Sequence, residues 1–342
     1  MLLPDGLKTF LDQVVNGLTI GSFYALISLG YTMVYGVLSM VNFAHGDIFM
    51  VGAYWGLFAT SMLQKIGFLA SNPVLAVIIA FLIGMAGAAV TGVVVERVAY
   101  RPLRNAGRLA ALISAIGASI ILQETVRLVP TIGKYLFGIK IGGALLIPET
   151  TSKAVMNVLN TFGGAAAKTY PAILGNAGFN IGGVFIAYSR VFIVALSLTI
   201  MLLLFLLVRY SKIGLAMRAV SEDKDTAATM GVNVNRTIST TFLIGSALAG
   251  IAGVMVGFFY LQIRVDMGFV PGIKAFTAAV LGGIGSIPGA MLGGYILGLV
   301  ETISVQVLPA VYKDVVAFVV LILTLIFLPN GLLGHKKHQK KL

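Results

Sequence analysis

What most limits the fold of this chain is the recurrence of continuous apolar stretches long enough to cross a lipid bilayer. A helix needs about 20 mostly apolar residues to span the hydrocarbon. Residues 14–38, 49–63 (extended back toward Asn42), 74–95, 109–129, 183–208, 238–261 and 315–328 meet that need. The runs are continuous rather than alternating, which excludes a β-barrel. Hydrophobic residues make up 58% of the 342 and charged residues 11%. A soluble core has no room for so much apolar surface with so little charge. The prediction is an all-α, polytopic helical membrane protein with about seven full spans, forming one transmembrane domain over residues 1–342. The opening MLLPDGLKTF lacks a basic leader, so the first span is expected to act as its own insertion signal.

The formal charge of +12 comes from 24 basic and 12 acidic residues. In a chain of this class it reads as Lys and Arg retained in cytoplasmic loops, and not as a nucleic-acid surface. Arg97, Arg101, Arg104 and Arg108 crowd one connection, and Arg209, Lys212, Arg218 and Lys224 crowd another. Both are expected inside. The N-terminus and a long loop over 130–182 are then outside, and the tail with its four lysines is inside. By parity the segment 275–307 must begin and end outside, which calls for a re-entrant or discontinuous hairpin.

That segment is glycine-rich. Gly282, Gly283 and Gly285 interrupt a first helix expected to be about ten residues long, or ~15 Å, reaching mid-membrane. Pro288 suits the first turn of the next helix, where its missing N–H costs nothing. Two readings stand. The break lines or gates a solute path, as discontinuous helices do in transporters. Alternatively, the glycines only allow close helix packing. The polar knot Asn42, His45 and Asp47 is also open to two readings. It borders the solute path, or Asn42 and Asp47 cap helix ends beside a neutral, satisfied histidine. No metal site is expected, since the other two histidines lie in the tail. The remaining charges in or near the spans include Glu96, Glu124, Arg127 and Glu301; of these, Glu124 and Arg127 stand three apart and predict an ion pair on one helix face. Glu301 has no close sequence partner and suits a polar cavity. The outer loop is either functional or disordered, with a short helix expected over 150–159.

Residues 209–236, RYSKIGLAMRAVSEDKDTAATMGVNVNR, form the long polar segment with helical character. Ser221 followed by Glu222 and Asp223 reads as an N-cap with an acidic first turn. The second helix is expected over 222–230, stopped by Gly231, with Asn233 and Asn235 in the turn beyond. A connection need not be folded, so this one predicts a docking surface. No G-x-x-x-x-G-K-[ST] phosphate loop, His-Glu-x-x-His, G-x-S-x-G or cysteine occurs. Enzymatic activity is not expected, no cofactor is expected on this chain, and a transport role would need a partner that supplies energy.

Several stretches resemble the bacterial branched-chain amino-acid ABC importer permeases, specifically the first of the two paired membrane subunits of the high-affinity Liv-type system. They are GLTIGSFYALISLGYTMVYGVLSMVNFAHGDIFMVGAY, KIGLAMRAVSEDKDTAATMGV, GIKAFTAAVLGGIGSIPGAMLGGYILGLVETI and YKDVVAFVVLILTLIFLPNGLLG. The resemblance implies a type II ABC importer permease fold, of the class shared with vitamin B12 and ribose permeases, in a bacterial inner membrane. It implies a heterodimer with a second permease, two cytoplasmic ATPase subunits that bind ATP-Mg, and a periplasmic solute-binding protein. It makes 209–236 the cytoplasmic coupling loop, with Arg218, Ser221, Glu222, Asp223, Asp225, Ala227, Ala228 and Gly231 as docking candidates. Related permeases carry an E-A-A-x-x-x-G pattern there. Here Ala227 and Ala228 precede Gly231 with one residue fewer between. Leucine, isoleucine and valine are the implied solutes. A urea or short-amide permease and a stand-alone channel are the alternatives.

Overall fold

A computed structural model describes residues 4–104, 106–137, 140–141, 144–145, 149–173, 175 and 177–334. The lysine-rich tail lies outside them. The helices are α1 (Asp5–Leu38), α2 (His45–Lys65), α3 (Phe68–Ser71), α4 (Pro73–Val95), α5 (Arg108–Phe137), α6 (Glu149–Phe162), α7 (Tyr188–Tyr210), α8 (Lys212–Glu222), α9 (Lys224–Thr229), α10 (Val234–Tyr260), α11 (Phe269–Gly282), α12 (Ile287–Ser304) and α13 (Lys313–Phe327). Short strands are β1 (Lys140–Ile141), β2 (Ala144–Leu145), β3 (Lys168–Thr169), β4 (Gly178–Ile181), β5 (Val184–Ala187) and β6 (Gln262–Ile263). They pair antiparallel as β1 with β2, β3 with β6 and β4 with β5.

Among the described residues, eight helices are long and apolar enough to cross a membrane: Asp5–Leu38, Pro73–Leu103, Leu109–Tyr135, Tyr188–Tyr210, Val234–Tyr260, Val265–Gly282, Ile287–Ser304 and Ala310–Phe327. The α-helical polytopic class therefore holds, with three corrections of detail. First, α2 is helical as expected but is not one of the eight. Second, the span expected from 183 begins at Tyr188. Gly182 and Gly183, both at positive φ, form a two-residue hairpin turn that pairs 178–181 with 184–187. Third, α5 does not stop at Val129 but runs through Pro130. Proline there cannot donate to the carbonyl four residues back. That carbonyl, on Val126, instead accepts the amide of Gly164 at 3.1 Å, so the backbone group is not left empty.

The chain divides into two compact units. The first holds 1–42, 174–248 and 270–342, and the second 43–173 and 249–269. In the first, α1 and α12 run antiparallel along a seam of small residues. Gly17 faces Leu299 and Thr302, Gly21 faces Gly294 and Tyr295, and Gly294 and Gly298 sit directly on the α1 backbone. Ser28 Oγ donates to the Ala290 carbonyl at 2.9 Å. Small residues at four-residue spacing let two backbones approach and gain dispersion contacts where no water-driven force acts. Ile20, Tyr24, Ala278, Leu297 and Ala317 complete the core of this unit.

Buried charge joins four helices of the same unit. Lys274 on α11 pairs with Glu301 on α12 at 2.9 Å and with Asp314 on α13 at 2.6 Å. Tyr24 on α1 donates to Glu301 at 2.8 Å. This explains the length of α11. Lys274 does not end the helix, because its charge is neutralised locally. With the 3-10 turn Val265–Gly268 ahead of it, the arm Val265–Gly282 is long and apolar enough to cross a membrane, and α11 itself has 14 residues rather than the expected ten.

The second unit repeats the use of small residues. Gly52 of α2 meets Gly250, Gly253 lies on the Phe49 carbonyl, and Gly84 of α4 lies against the Gly52 carbonyl. Tyr170 is buried there, donating to the Ala53 carbonyl at 3.2 Å and stacking edge-on to Phe258. The helix expected over 150–159 is α6. Its last residue, Phe162, packs on Trp55 with ring centroids 4.8 Å apart.

Two substitutions test this packing by thermal unfolding in detergent. Gly298→Leu drives a side chain into the Gly21 backbone and is expected to cost about 1–3 kcal/mol or more. Gly117→Ala, where a methyl meets nothing within 4 Å, is expected to be neutral. Lys274→Met leaves Glu301 buried without its cation and is expected to cost about 3–5 kcal/mol. The double variant Lys274→Met/Glu301→Gln should recover much of that loss. Equal instability of the single and double variants would count against a paired role.

Candidate functional site

The segment after α7 is a folded elbow. Ser211 caps α8, its Oγ accepting the Gly214 amide at 3.0 Å. A side chain at Gly214 would overlap the Val208 backbone, so glycine is what lets α8 fold back on the end of α7. Arg218 then reaches back, donating to the carbonyls of Val208 and Arg209. Those carbonyls are left over at a helix C-terminus, where a cation is also favoured by the helix dipole. Arg218 is thus a clasp between α8 and α7.

The N-cap expected at Ser221 is displaced. Ser221 lies in the last turn of α8 and donates to the Arg218 carbonyl at 2.7 Å. Asp223 is the cap of α9, accepting the Thr226 amide at 2.8 Å. The physical reason is that α8 continues long enough to bury Gly214, Met217 and Val220 on one face. Glu222 is therefore the end of one helix, not the start of the next. Gly231, at φ +85, ends α9 as expected. Asn233 opens α10 by accepting the Arg236 amide at 3.0 Å.

The elbow has two faces. The inner face, with Met217, Arg218 and Ser221, borders a cavity of about 80 Å³ shared with Thr32 and Val37 at the end of α1 and with Gly285 and Ile287 of the hairpin. The outer face carries an open groove of about 450 Å³. Leu215, Ala219, Asp223, Ala227 and Met230 line it, with Lys212 and Glu222 at its rim. Met230 is 80% exposed and Leu215 61%. Ala227 is buried beneath them, whereas Asp225 and Ala228 are exposed and do not line the groove.

The hairpin break sits at this same end of its unit. Gly283 and Gly285 have φ of +104 and +95, which glycine adopts without strain. Ser286 caps α12 through the Gly289 amide at 3.2 Å, and Pro288 occupies the first turn as expected. Gly282 packs on Gly289. The chain after α13 returns to the turn: the Leu332 and Leu333 amides donate to the Leu281 and Gly282 carbonyls at 2.8 and 2.9 Å. Both readings of the glycines are thus visible, a true break at Gly283 and Gly285 and close packing at Gly282.

The remaining polar candidates fall in different places. Glu301 is held by Lys274 and Tyr24. Asp47, in the second unit, accepts from Ser119 and from Gln123, the latter at 2.9 Å. It therefore joins α2 to α5 and does not cap its own helix, whose N-cap, Ala44, makes no side-chain bond. Asn42 and His45 are both 1% exposed. Glu96 is buried and paired with Arg104, and Glu124 pairs with Arg127 at 2.7 Å as expected. Among the described residues, no group of three or more His, Asp or Glu is placed to hold a metal ion. The reading of residues along the chain missed Lys274, Asp314, Ser119 and Gln123. A lysine inside GIKAFTAAVL, where a lone charge is costly, was the available signal for the first.

A family model described as the branched-chain amino acid transport system permease component matches residues 13–325. The chain is 43% identical over 332 residues to the high-affinity branched-chain amino acid transport system permease protein BraD of Pseudomonas aeruginosa, covering 97% of this chain and 98% of that one. It is 42% identical over 331 residues to the permease protein LivH of Escherichia coli K12, covering 97% of each. A probable branched-chain amino acid transport permease of Methanocaldococcus jannaschii is 29% identical over 98% of this chain and 95% of its own length. Matched along almost its whole length, the chain belongs to the family of branched-chain amino acid transport system permease components.

Proposed function

We propose that this chain is a transmembrane subunit of an ATP-driven importer of leucine, isoleucine and valine in a bacterial inner membrane. Its partners are a second permease, two ATPase subunits that bind ATP-Mg, and a periplasmic binding protein. The observation that carries the reading is the elbow. It is a folded, two-faced element in a chain with no phosphate loop. Its outer groove is apolar with Lys212 and Glu222 among its lining, and its inner face packs on α1 and shares a cavity with the hairpin turn. The names of the relatives support the solute class and the transport role.

The elbow grips the ATPase through its outer groove. Because Arg218 clasps α7, displacement of the elbow moves α7 with it, and it reshapes the cavity that the inner face shares with the α11–α12 turn at Gly285. Switching almost fully between two access states needs a differential of about 5.5 kcal/mol, which nucleotide binding and hydrolysis on the partner would supply. We assign the break at Gly283–Gly285 to this transmission, and Asp47 and Glu301, held by side-chain partners, to joining helices.

Leu215→Asp and Met230→Asp place charge in the groove. Each is expected to weaken ATPase copurification by about 2 kcal/mol, roughly 30-fold in affinity, and to abolish leucine uptake by proteoliposomes while the chain still inserts. Normal copurification and uptake in both variants would remove the docking role. Leucine equilibration by the purified chain alone, without ATP, would favour a channel instead.

A further inference from the structure

The hairpin β4–β5 is not used by the transport reading. It occupies the segment before α7, where no charged residue occurs from 171 to 189. Ile181 is 60% exposed, Tyr188 53% and Phe185 48%. A two-stranded hairpin has two unpaired edges, and in water such edges are normally guarded by charge. This one has none. Nor can it lie in hydrocarbon, where its unpaired edge N–H and C=O groups would go unsatisfied. The depth that satisfies both demands is the headgroup layer, where water and esters meet the edges and apolar side chains point inward.

Continuity fixes the neighbour. β5 enters α7 with no linker, and only 22% of that helix's apolar span is buried within the protein. This chain thus leaves most of α7 uncovered, and the hairpin sits at the end of a helix apolar enough to span a bilayer. Ile186 of the hairpin opens an apolar groove of about 330 Å³ that runs down between α1 and α7 past Leu18, Val194 and Leu198. Arg190 stands at its mouth, donating to Asp12 at 3.2 Å.

We propose that the 178–188 hairpin is a membrane-surface anchor. It lies in the headgroup layer at the end of α7, and the apolar groove below Ile186 continues its apolar surface toward that helix. The surface it meets is assigned to lipid because the uncharged stretch 171–189 runs without a linker into a helix apolar enough to span a bilayer.

The chain has no cysteine, so Ile181→Cys and Phe185→Cys each offer a unique site for a nitroxide label. The labelled full chain is reconstituted in phosphatidylethanolamine–phosphatidylglycerol vesicles, alone and with the copurified transporter subunits. Collision rates are measured with oxygen, which concentrates in lipid, and with a nickel chelate, which stays in water. The expected oxygen-to-nickel ratio at 181 and 185 lies between that of Leu203→Cys on the exposed face of α7 and that of Met230→Cys on the elbow of the lone chain. It should be unchanged when the other subunits are added. A ratio matching position 230 would place the hairpin in water and overturn the anchor. Loss of both collision rates on adding the subunits would make the hairpin a protein-docking face and overturn it equally. Neither measurement depends on transport, so failure of the import reading would leave this test intact.

Discussion

The contact on which the first unit depends is backbone against backbone. Between α1 and α12 there is almost no side chain: Gly17, Gly21 and Ala25 face Gly294, Gly298 and Thr302. Inside a bilayer no hydrophobic force pulls two helices together, since lipid tails are as apolar as leucine. Close approach then has to supply the attraction through many weak dispersion contacts. Each glycine in this seam is there for what it lacks. The second unit applies the same solution at Gly52, Gly84, Gly250 and Gly253, so the composition itself, 41 glycines in 342 residues, follows from how the helices associate.

Small-residue seams hold helices close but are weakly directional along their length. The polar groups add registry. Lys274 can meet Glu301, Tyr24 and Asp314 only when α1, α11, α12 and α13 are correctly aligned. Asp47 does the same for α2 and α5 through Ser119 and Gln123. A slip of one turn, about 5.4 Å, would strand a charge in a medium that solvates it poorly. The same economy governs helix ends: Arg218, Asp223, Ser211 and Ser286 each answer a backbone group that a helix end leaves unpaired.

Much of this was legible from residue order alone, because a membrane imposes simple rules. Apolar length located six of the eight candidate spans, Gly283–Gly285 located the break, Pro288 the start of α12 and Gly231 the end of α9. What could not be read was whatever depended on a distant partner. Lys274 was missed because its partners Glu301 and Asp314 lie 27 and 40 positions on. Pro130 looked like a stop because Gly164, which satisfies the carbonyl it frees, is 34 residues away. Ser221 and Asp223 are both capping residue types, and local chemistry cannot choose between them. The burial of Met217 and Val220 against the first unit decides it. The seam glycines were noticed on the hairpin, but the matching four-residue spacing in α1 passed unread.

The return of the chain to the hairpin turn has a consequence for biosynthesis. Leu281 and Gly282 present carbonyls that remain unanswered until the amides of Leu332 and Leu333 arrive. Those amides are synthesised some fifty residues later, after the residues of α12 and α13. Until they arrive the turn is open, so the nascent hairpin is provisional, and the strap that follows α13 is what latches it shut.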